Sequence, residues 1–351
     1  MQLKSKKYDL ADWSAWQELA YEQRWTDGLP VTPPTEQMVA EMLQYIKKDP
    51  QESLGSVPPR HGEATIEKIA INCVMAGCKP EYMPVVIAAL KAMLEDAFNL
   101  NGVQCTTHNV APLTVVSGPI AKELGFNSRD NVYGGGSRAN ATVGRAVRLI
   151  MWNIGKGYPA EIDKSTIGHP GKYTYCIAED ADANPWEPLH IERGCPPGSS
   201  GVTVFGCEAP HSVSSGNVMP FYMLTSVADT MSALGNNNSH VMGQTLVTFC
   251  PEATKILKRE GWAKRDVKEF LFEKARRRLG ETRHTAHDWD LCNQFMPKWI
   301  DRNDDSVMKP VVKEPEDIHV TVCGGSGCFN SVCPGWGDMG GFAVTKEIEL
   351  P

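Results

Sequence analysis

No stretch of the 351-residue chain is apolar enough to cross a bilayer. The longest, Met83 to Leu94, contains Lys91 and falls short of the roughly 18–20 residues that a span requires. The stretch from Met1 to Lys7 carries three lysines and lacks the apolar core of a secretory signal. These absences predict a cytoplasmic protein with no membrane partner. Positive charge is also short: 35 Lys and Arg stand against 42 Asp and Glu, a net charge of −7. That balance argues against a dedicated nucleic-acid binder. The one basic run, eleven Lys or Arg between Lys255 and Arg283, is interleaved with acids and reads as a solvated helical face. Walker A, G-x-G-x-x-G after a strand, and H-E-x-x-H patterns are all missing, so neither a nucleotide nor a zincin-type metal site is implied. No internal repeat or low-complexity segment is visible.

Cysteine, by contrast, is plentiful. Eleven cysteines are too few for a disulfide scaffold at this length, and an odd number cannot pair completely within one chain. In a reducing compartment they are read as buried core, metal ligands or reactive groups. The 31 glycines and 24 prolines exceed the average share, which favours sites built on loops.

Apolar periodicity predicts intermingled helices and strands, and hence an α/β or α+β fold with mixed sheets and packed helices. Thr35 is placed to cap a helix with apolar face Met38, Met42, Tyr45 and Ile46, and Gly77 to end a helix begun near Thr65. Strands are expected at Leu113–Val116, Tyr173–Ala178, Val202–Cys207, Thr245–Cys250 and Ile318–Val322. Val143–Ile154 reads as a helix, and residues 252–280 as two helices hinged at Gly261. The loop-rich stretch at 182–201 suggests two lobes, 1–180 with a glycine-rich anion loop and 181–351 with a Cys/Gly-rich terminal loop.

The sharpest chemical feature is Cys323-Gly-Gly-Ser-Gly-Cys328-Phe-Asn-Ser-Val-Cys333, a strand leading into a glycine loop and an expected helical turn. Exposed N–H groups at such a turn bind anions and lower the pKa of a nearby thiol. Cys328 is the best-placed thiolate, with Cys323 or Cys333 available to resolve a disulfide. The alternatives are three core cysteines beside a tight turn, or ligands of a zinc or iron ion. The C-x4-C-x4-C spacing matches no usual iron–sulfur pattern. A second glycine loop, Gly134-Gly135-Gly136, precedes a helix carrying Arg138 and Asn140, which suits a carboxylate or phosphate; ordinary surface arginines are the competing reading. His108, Glu179 and His190 are candidates for moving protons, and Arg193 for binding substrate, although a loop histidine is more often structural.

Through Trp25-Thr-Asp-Gly-Leu-Pro-Val-Thr-Pro-Pro-Thr35 and Ala70-Ile-Asn-Cys-Val-Met-Ala-Gly-Cys-Lys-Pro-Glu-Tyr82, the chain resembles a bacterial family with no established reaction. The resemblance continues through Arg138–Ala146 and Trp186–Gly194. It implies an association with small cysteine or selenocysteine proteins bearing a U/C-G-S-C motif, and hence thiol or selenol redox chemistry. Relatives are similar in having a C-terminal glycine loop. The triple cysteine is not shared by all of them, and is either a specialisation of this chain or incidental.

The resulting expectation is an enzyme, homo-oligomeric on general grounds, that acts on a small anionic molecule by cysteine thiolate chemistry, nucleophilic or redox. Two rivals stand beside it: a metal-dependent lyase or hydrolase with Cys and His ligands, and a non-catalytic partner subunit of a small thiol or selenol redox protein.

Overall fold

The structure is a computed structural model and describes residues 3–216 and 218–351; Met1 and Gln2 of the N-terminal stretch, and Asn217, lie outside the described residues. The N-terminal third is helical apart from a short hairpin in which Ser53–Val57 pairs antiparallel with Gly62–Thr65. Asp12 caps α1 (Trp13–Glu22), and Thr35 caps α2 (Glu36–Ile46) by accepting the Met38 N–H. Helix α3 (Ile66–Ala76) ends at Gly77, whose φ of +87° meets the left-handed requirement of that cap. Helix α4 (Met83–Met93) is apolar on nearly every side, and it is buried accordingly, with only Lys91 reaching outward.

Strand β1 (Ala111–Ser117) is buried along its whole length. The chain crosses over through α5 (Arg138–Asn153) and returns as β2 (Cys176–Ala178), parallel to β1, because a parallel pair cannot be joined by a tight turn. Strand β3 (Gly201–Cys207) pairs antiparallel to β1. After β4 (His211–Ser214) and helix α6 (Pro220–Met231) the pattern recurs. Strand β5 (Thr245–Phe249) feeds α7 (Pro251–Arg259) and α8 (Lys264–Lys274), separated at Gly261 as the sequence predicts. The chain then returns as β6 (Ile318–Val322), parallel to β5, and β7 (Phe329–Pro334) runs antiparallel to β5. Strand β8 (Val344–Glu347) ends the fold.

Two four-stranded sheets result. Sheet I has the order β2-β1-β3-β8 and sheet II the order β6-β5-β7-β4. Every pairing in one has a counterpart of the same direction in the other. Each half also lends its last strand away: β4 follows β3 in sequence but pairs with β7, and β8 follows β7 but pairs with β3. The fold is therefore duplicated although no repeat is visible in the sequence. The strands fall in register while the crossovers between them differ in length and content. Sheet I takes strands from both sides of residue 180, so the lobe boundary expected there runs through one sheet.

Helices α3, α4 and α5 cover the outer face of sheet I through Val116, Ala178, Val202 and Val204. Helices α6, α7 and α8 cover sheet II through Val247, Phe249, Ile318 and Val320. The inner faces meet through Leu113, Val115, Ile177, Phe205, Leu246 and Cys333. The architecture is a four-layer helix–sheet–sheet–helix sandwich, and mixed sheets with packed helices are what the sequence predicts. Among the described residues no helix is long and apolar enough to cross a membrane.

Two local expectations need correction. The terminal glycine loop opens into strand β7 rather than a helical turn, since Phe329 to Pro334 can pair with β5 and β4 at once. Arg276–Arg278 is a short strand against Met308–Pro310, not the end of a helix. In the basic run, Lys264 lies 2.8 Å from Glu192 and Lys268 pairs with the same carboxylate, so two of its cations serve packing.

Candidate functional site

The ends of the parallel pairs meet at one pole of the sandwich. The Asp180 N–H, just past β2, donates to Val322 O at the end of β6 (2.7 Å), and Glu179 and Cys323 occupy matched positions after those strands. Ligands of open α/β sheets bind at such strand ends, where loops diverge. Here Gly324 N–H donates to Ser128 O (2.9 Å), and a Cβ at Gly325 would lie 2.0 Å from Asp130 Oδ1, so a larger residue there would displace the Asp130 carboxylate. Gly324 (φ +110°) and Gly327 (φ +145°) turn the chain back toward β7. Cys250 anchors the turn by donating its thiol proton to Gly327 O (3.3 Å), and its own N–H donates to Asn330 Oδ1 (2.9 Å). Gly327 N–H donates to Glu252 (3.3 Å), and Cys328 O accepts from Ser215 N–H (3.1 Å).

Cys328 is exposed at this turn; nine other cysteines are buried and Cys105 is half-buried. Among the described residues the N–H groups of Gly325 and Ser326 meet no protein acceptor. Arg129, next to Ser128, lies 3.2 Å from Asp180 and 3.6 Å from Asp182 with most of its side chain in solvent. The two glycine loops are joined here. Asn140 accepts from Asn127 N–H (2.7 Å) and donates to Asn127 O (2.9 Å), which fixes the segment that carries Gly324 and Gly325. Asn131, one residue beyond Asp130, donates to Gly135 O (2.9 Å), closing the loop that contains Gly136.

Other predicted residues are engaged elsewhere. Arg138 spends Nε and Nη2 on Gly77 O (3.0 and 2.9 Å), capping α3. Arg193 is held by Thr345 Oγ1 (3.0 Å) and Ala343 O, a clamp on the exchanged strand β8. His190 is buried, with Nε2 donating to Ser199 O (3.0 Å) and its ring packed under Gly118 and Gly201. The buried Glu179 carboxylate accepts the Leu189 N–H (3.0 Å) and the Asn184 amide (3.0 Å); burial pushes its pKa up. Burial, helped by the charge of Glu179, holds the Cys323 thiol well above its ordinary value.

His108 lies at the opposite pole, before β1, whose seven residues span roughly 20 Å at about 3.3 Å each. Its Nε2 donates to Glu208 (2.9 Å) and its Nδ1 accepts the Val110 N–H (3.2 Å), so both ring nitrogens are occupied. The structure does not bring His108 to Cys328.

Cys333 faces the sheet interface. Tyr133 Oη and Tyr175 Oη each lie 3.7 Å from its sulfur. A hydrogen bond from Cys207 pulls the Cys333 thiol below its ordinary value against the cost of burial, with the two tyrosines adding to it. Cys207 moves the opposite way, mainly through burial. Sequence reasoning missed Arg129, Asp130, Cys250, Tyr133 and Tyr175. Of these only Cys250, in a strand-to-proline step, carried a local signal. Among the described residues no three His, Cys, Asp or Glu side chains are grouped as metal ligands would be.

The Asp27-Gly28-Leu29-Pro30 motif is structural: Arg145 grips Asp27 through two hydrogen bonds (3.0 and 2.7 Å) and also reaches Leu29 O and Pro30 O. Comparison with protein-family models finds none that matches the chain, and no curated protein matches it.

Proposed function

We propose that this chain is an enzyme acting on a small anionic molecule through the thiol of Cys328. The observation that carries this reading is that Cys328 alone among eleven cysteines is exposed, and that it stands on a turn at the strand-end pole. The unengaged N–H groups of Gly325 and Ser326, on the same turn as Cys328, are the groups that hold an anion, and Arg129, largely in solvent, would reach it by leaving Asp180 and Asp182. Cys323, Cys250 and Cys333 support the turn and the interface and do not themselves react. Asn140 acts by positioning, since it carries the segment on which the turn rests.

The test is turnover of pooled small phosphates and carboxylates by the purified chain, followed by mass spectrometry. Cys328→Ser should lower the rate by at least roughly 100-fold, and Arg129→Ala should raise KM about tenfold with kcat little changed. Unchanged turnover in Cys328→Ser would contradict the proposal.

One observation favours a second reading, a subunit that presents Cys328 to another thiol or selenol protein. Val218, Phe221, Tyr222 and Phe329 are about half exposed or more, and Gly216, which leads into the first three, packs against Cys328. Turnover by the isolated chain would count against it.

A further inference from the structure

The turn that ends α3 carries two cysteines that take no part in the function proposed above. Gly77 is left-handed at φ +87°, its N–H donates to Val74 O (2.9 Å), and the Cys78 N–H donates to Cys73 O (2.9 Å). This pair of bonds is the Schellman ending, in which the residues at the positions of Cys73 and Cys78 meet side by side. A spacing of five would put them on different faces of a continuing helix; the glycine turn brings them together. Covalent geometry and the 2.9 Å bond hold the two Cα atoms within about 6.8 Å, the reach of a disulfide.

The thiols meet as well. Cys78 gives its own proton to Thr142 O (3.3 Å), which leaves its sulfur free to accept from Cys73. That hydrogen bond first, then burial and the charge of Cys78, holds the Cys73 thiol well above its ordinary value. Cys73 is wholly buried, while Cys78, 5% exposed, is the member that reaches the surface. Arg138 braces the turn from outside through its two bonds to Gly77 O. Cys176 also lies close, but its thiol turns to Ile177 O (4.0 Å). The other touching pair, Cys207 and Cys333, has neither member at the surface.

From the Cα spacing, the contact between the thiols and the one accessible member, we infer that Cys73 and Cys78 form a dithiol that a small hydroperoxide oxidises to a disulfide. The Cys78 sulfur, as thiolate, attacks the outer peroxide oxygen. The O–O bond breaks, the alkoxide or hydroxide leaves with the proton that Cys78 released, and Cys78 becomes a sulfenic acid. The Cys73 sulfur then attacks that sulfur. The S–S bond forms, the S–O bond breaks, and water carries off the Cys73 proton. Two thiols lose two electrons and one peroxide gains them. Oxidation also takes away the proton that Cys78 gives to Thr142 O, and so frees the turn from α5 at that point.

The probe is hydrogen peroxide, added in modest excess to the reduced full chain at pH 7. Free thiols are then blocked with N-ethylmaleimide in denaturant. No lysine or arginine stands between Cys73 and Cys78, so one tryptic peptide holds both, and the disulfide shows as the loss of two hydrogen masses. It should form at least about tenfold faster than Cys250 oxidises, since Cys250 is similarly buried but turns its thiol to a carbonyl. Dithiothreitol should reverse it. Cys73→Ala should leave Cys78 as a sulfenic acid that dimedone captures, while Cys78→Ala should leave Cys73 unoxidised. Cys328→Ser should form the disulfide at the unchanged rate, which separates this pair from the thiol of the proposed function. Linkage of Cys78 to Cys176, linkage only where Cys328 is intact, or both thiols still free when Cys250 begins to oxidise would overturn the inference. The wild-type chain decides it even where a variant does not fold.

Discussion

Sheets I and II share strand order, direction and register, so their inner faces can be compared position by position. Leu113 pairs with Phe205 as Leu246 pairs with Cys333, and Val115 pairs with Thr203 and Ile177 as Thr248 pairs with Ser331 and Thr321. One leucine is kept at a matched position. Elsewhere a valine, an isoleucine and a phenylalanine in sheet I face a threonine, a second threonine and a cysteine in sheet II. Beyond the strands, Glu179 in one half stands where Cys323 stands in the other. At these positions the inner face of sheet I is thus mainly apolar, while that of sheet II is polar and carries Cys333. Tyr133 and Tyr175 partner Thr248 and Cys333 at this interface, while the Thr321 hydroxyl has no partner among the described residues.

Several substitutions sharpen or break that comparison. The largest effect is expected at the shared leucines. Leu113→Ala and Leu246→Ala should each cost about 3 kcal/mol by chemical denaturation, because both side chains fill the same interface. A cost confined to one of them would show that the two faces are not equivalent.

The half built on sheet II also buries Lys309, whose ammonium donates to Ser239 O (2.8 Å) and whose pKa burial brings down from 10.5 to about 8. Between those values the unfolded chain binds more protons at this residue than the folded one, so the contribution of Lys309 to stability rises as pH goes from about 8 to 10.5. The buried Cys207 and Cys323 thiols oppose it, so the rise is read as the difference between wild type and variant. The gain should approach about 3 kcal/mol, and Lys309→Met should remove that rise.

Smaller effects distinguish the two inner faces. Val115→Thr should cost about 2 kcal/mol by placing a hydroxyl against the apolar face. Thr248→Val should cost about 1 kcal/mol, the loss of its 2.7 Å bond to Tyr133. Equal costs would remove the polarity argument.

Much of the frame was legible in the sequence. Apolar runs marked β1, β3, β5 and β6, and local capping chemistry placed the ends of α2 and α3 at Thr35 and Gly77. The duplication was not legible, because it resides in pairing and register while the matched residues differ in polarity. At the site, the glycine loop marked Cys328, but nothing in Asn127-Ser128-Arg129-Asp130 announces that Gly324 will rest on it from nearly two hundred residues away. Arg138 and Arg193 have the residue type of an anion site. Their guanidinium groups are instead spent on carbonyls at a helix end and beside an exchanged strand, which only the tertiary structure reveals.

The central claim is that the proposed reaction belongs to one exposed thiol on the half built on sheet II, supported by buried ones. Time-resolved alkylation with iodoacetamide at pH 7, with all eleven cysteines followed by peptide mass spectrometry, tests it most directly. Cys328 should be modified at least roughly 100-fold faster than Cys250, Cys323 and Cys333, which react only when the fold opens. Modification of Cys333 or Cys323 at the rate of Cys328, or equally slow labelling of every cysteine, would contradict it.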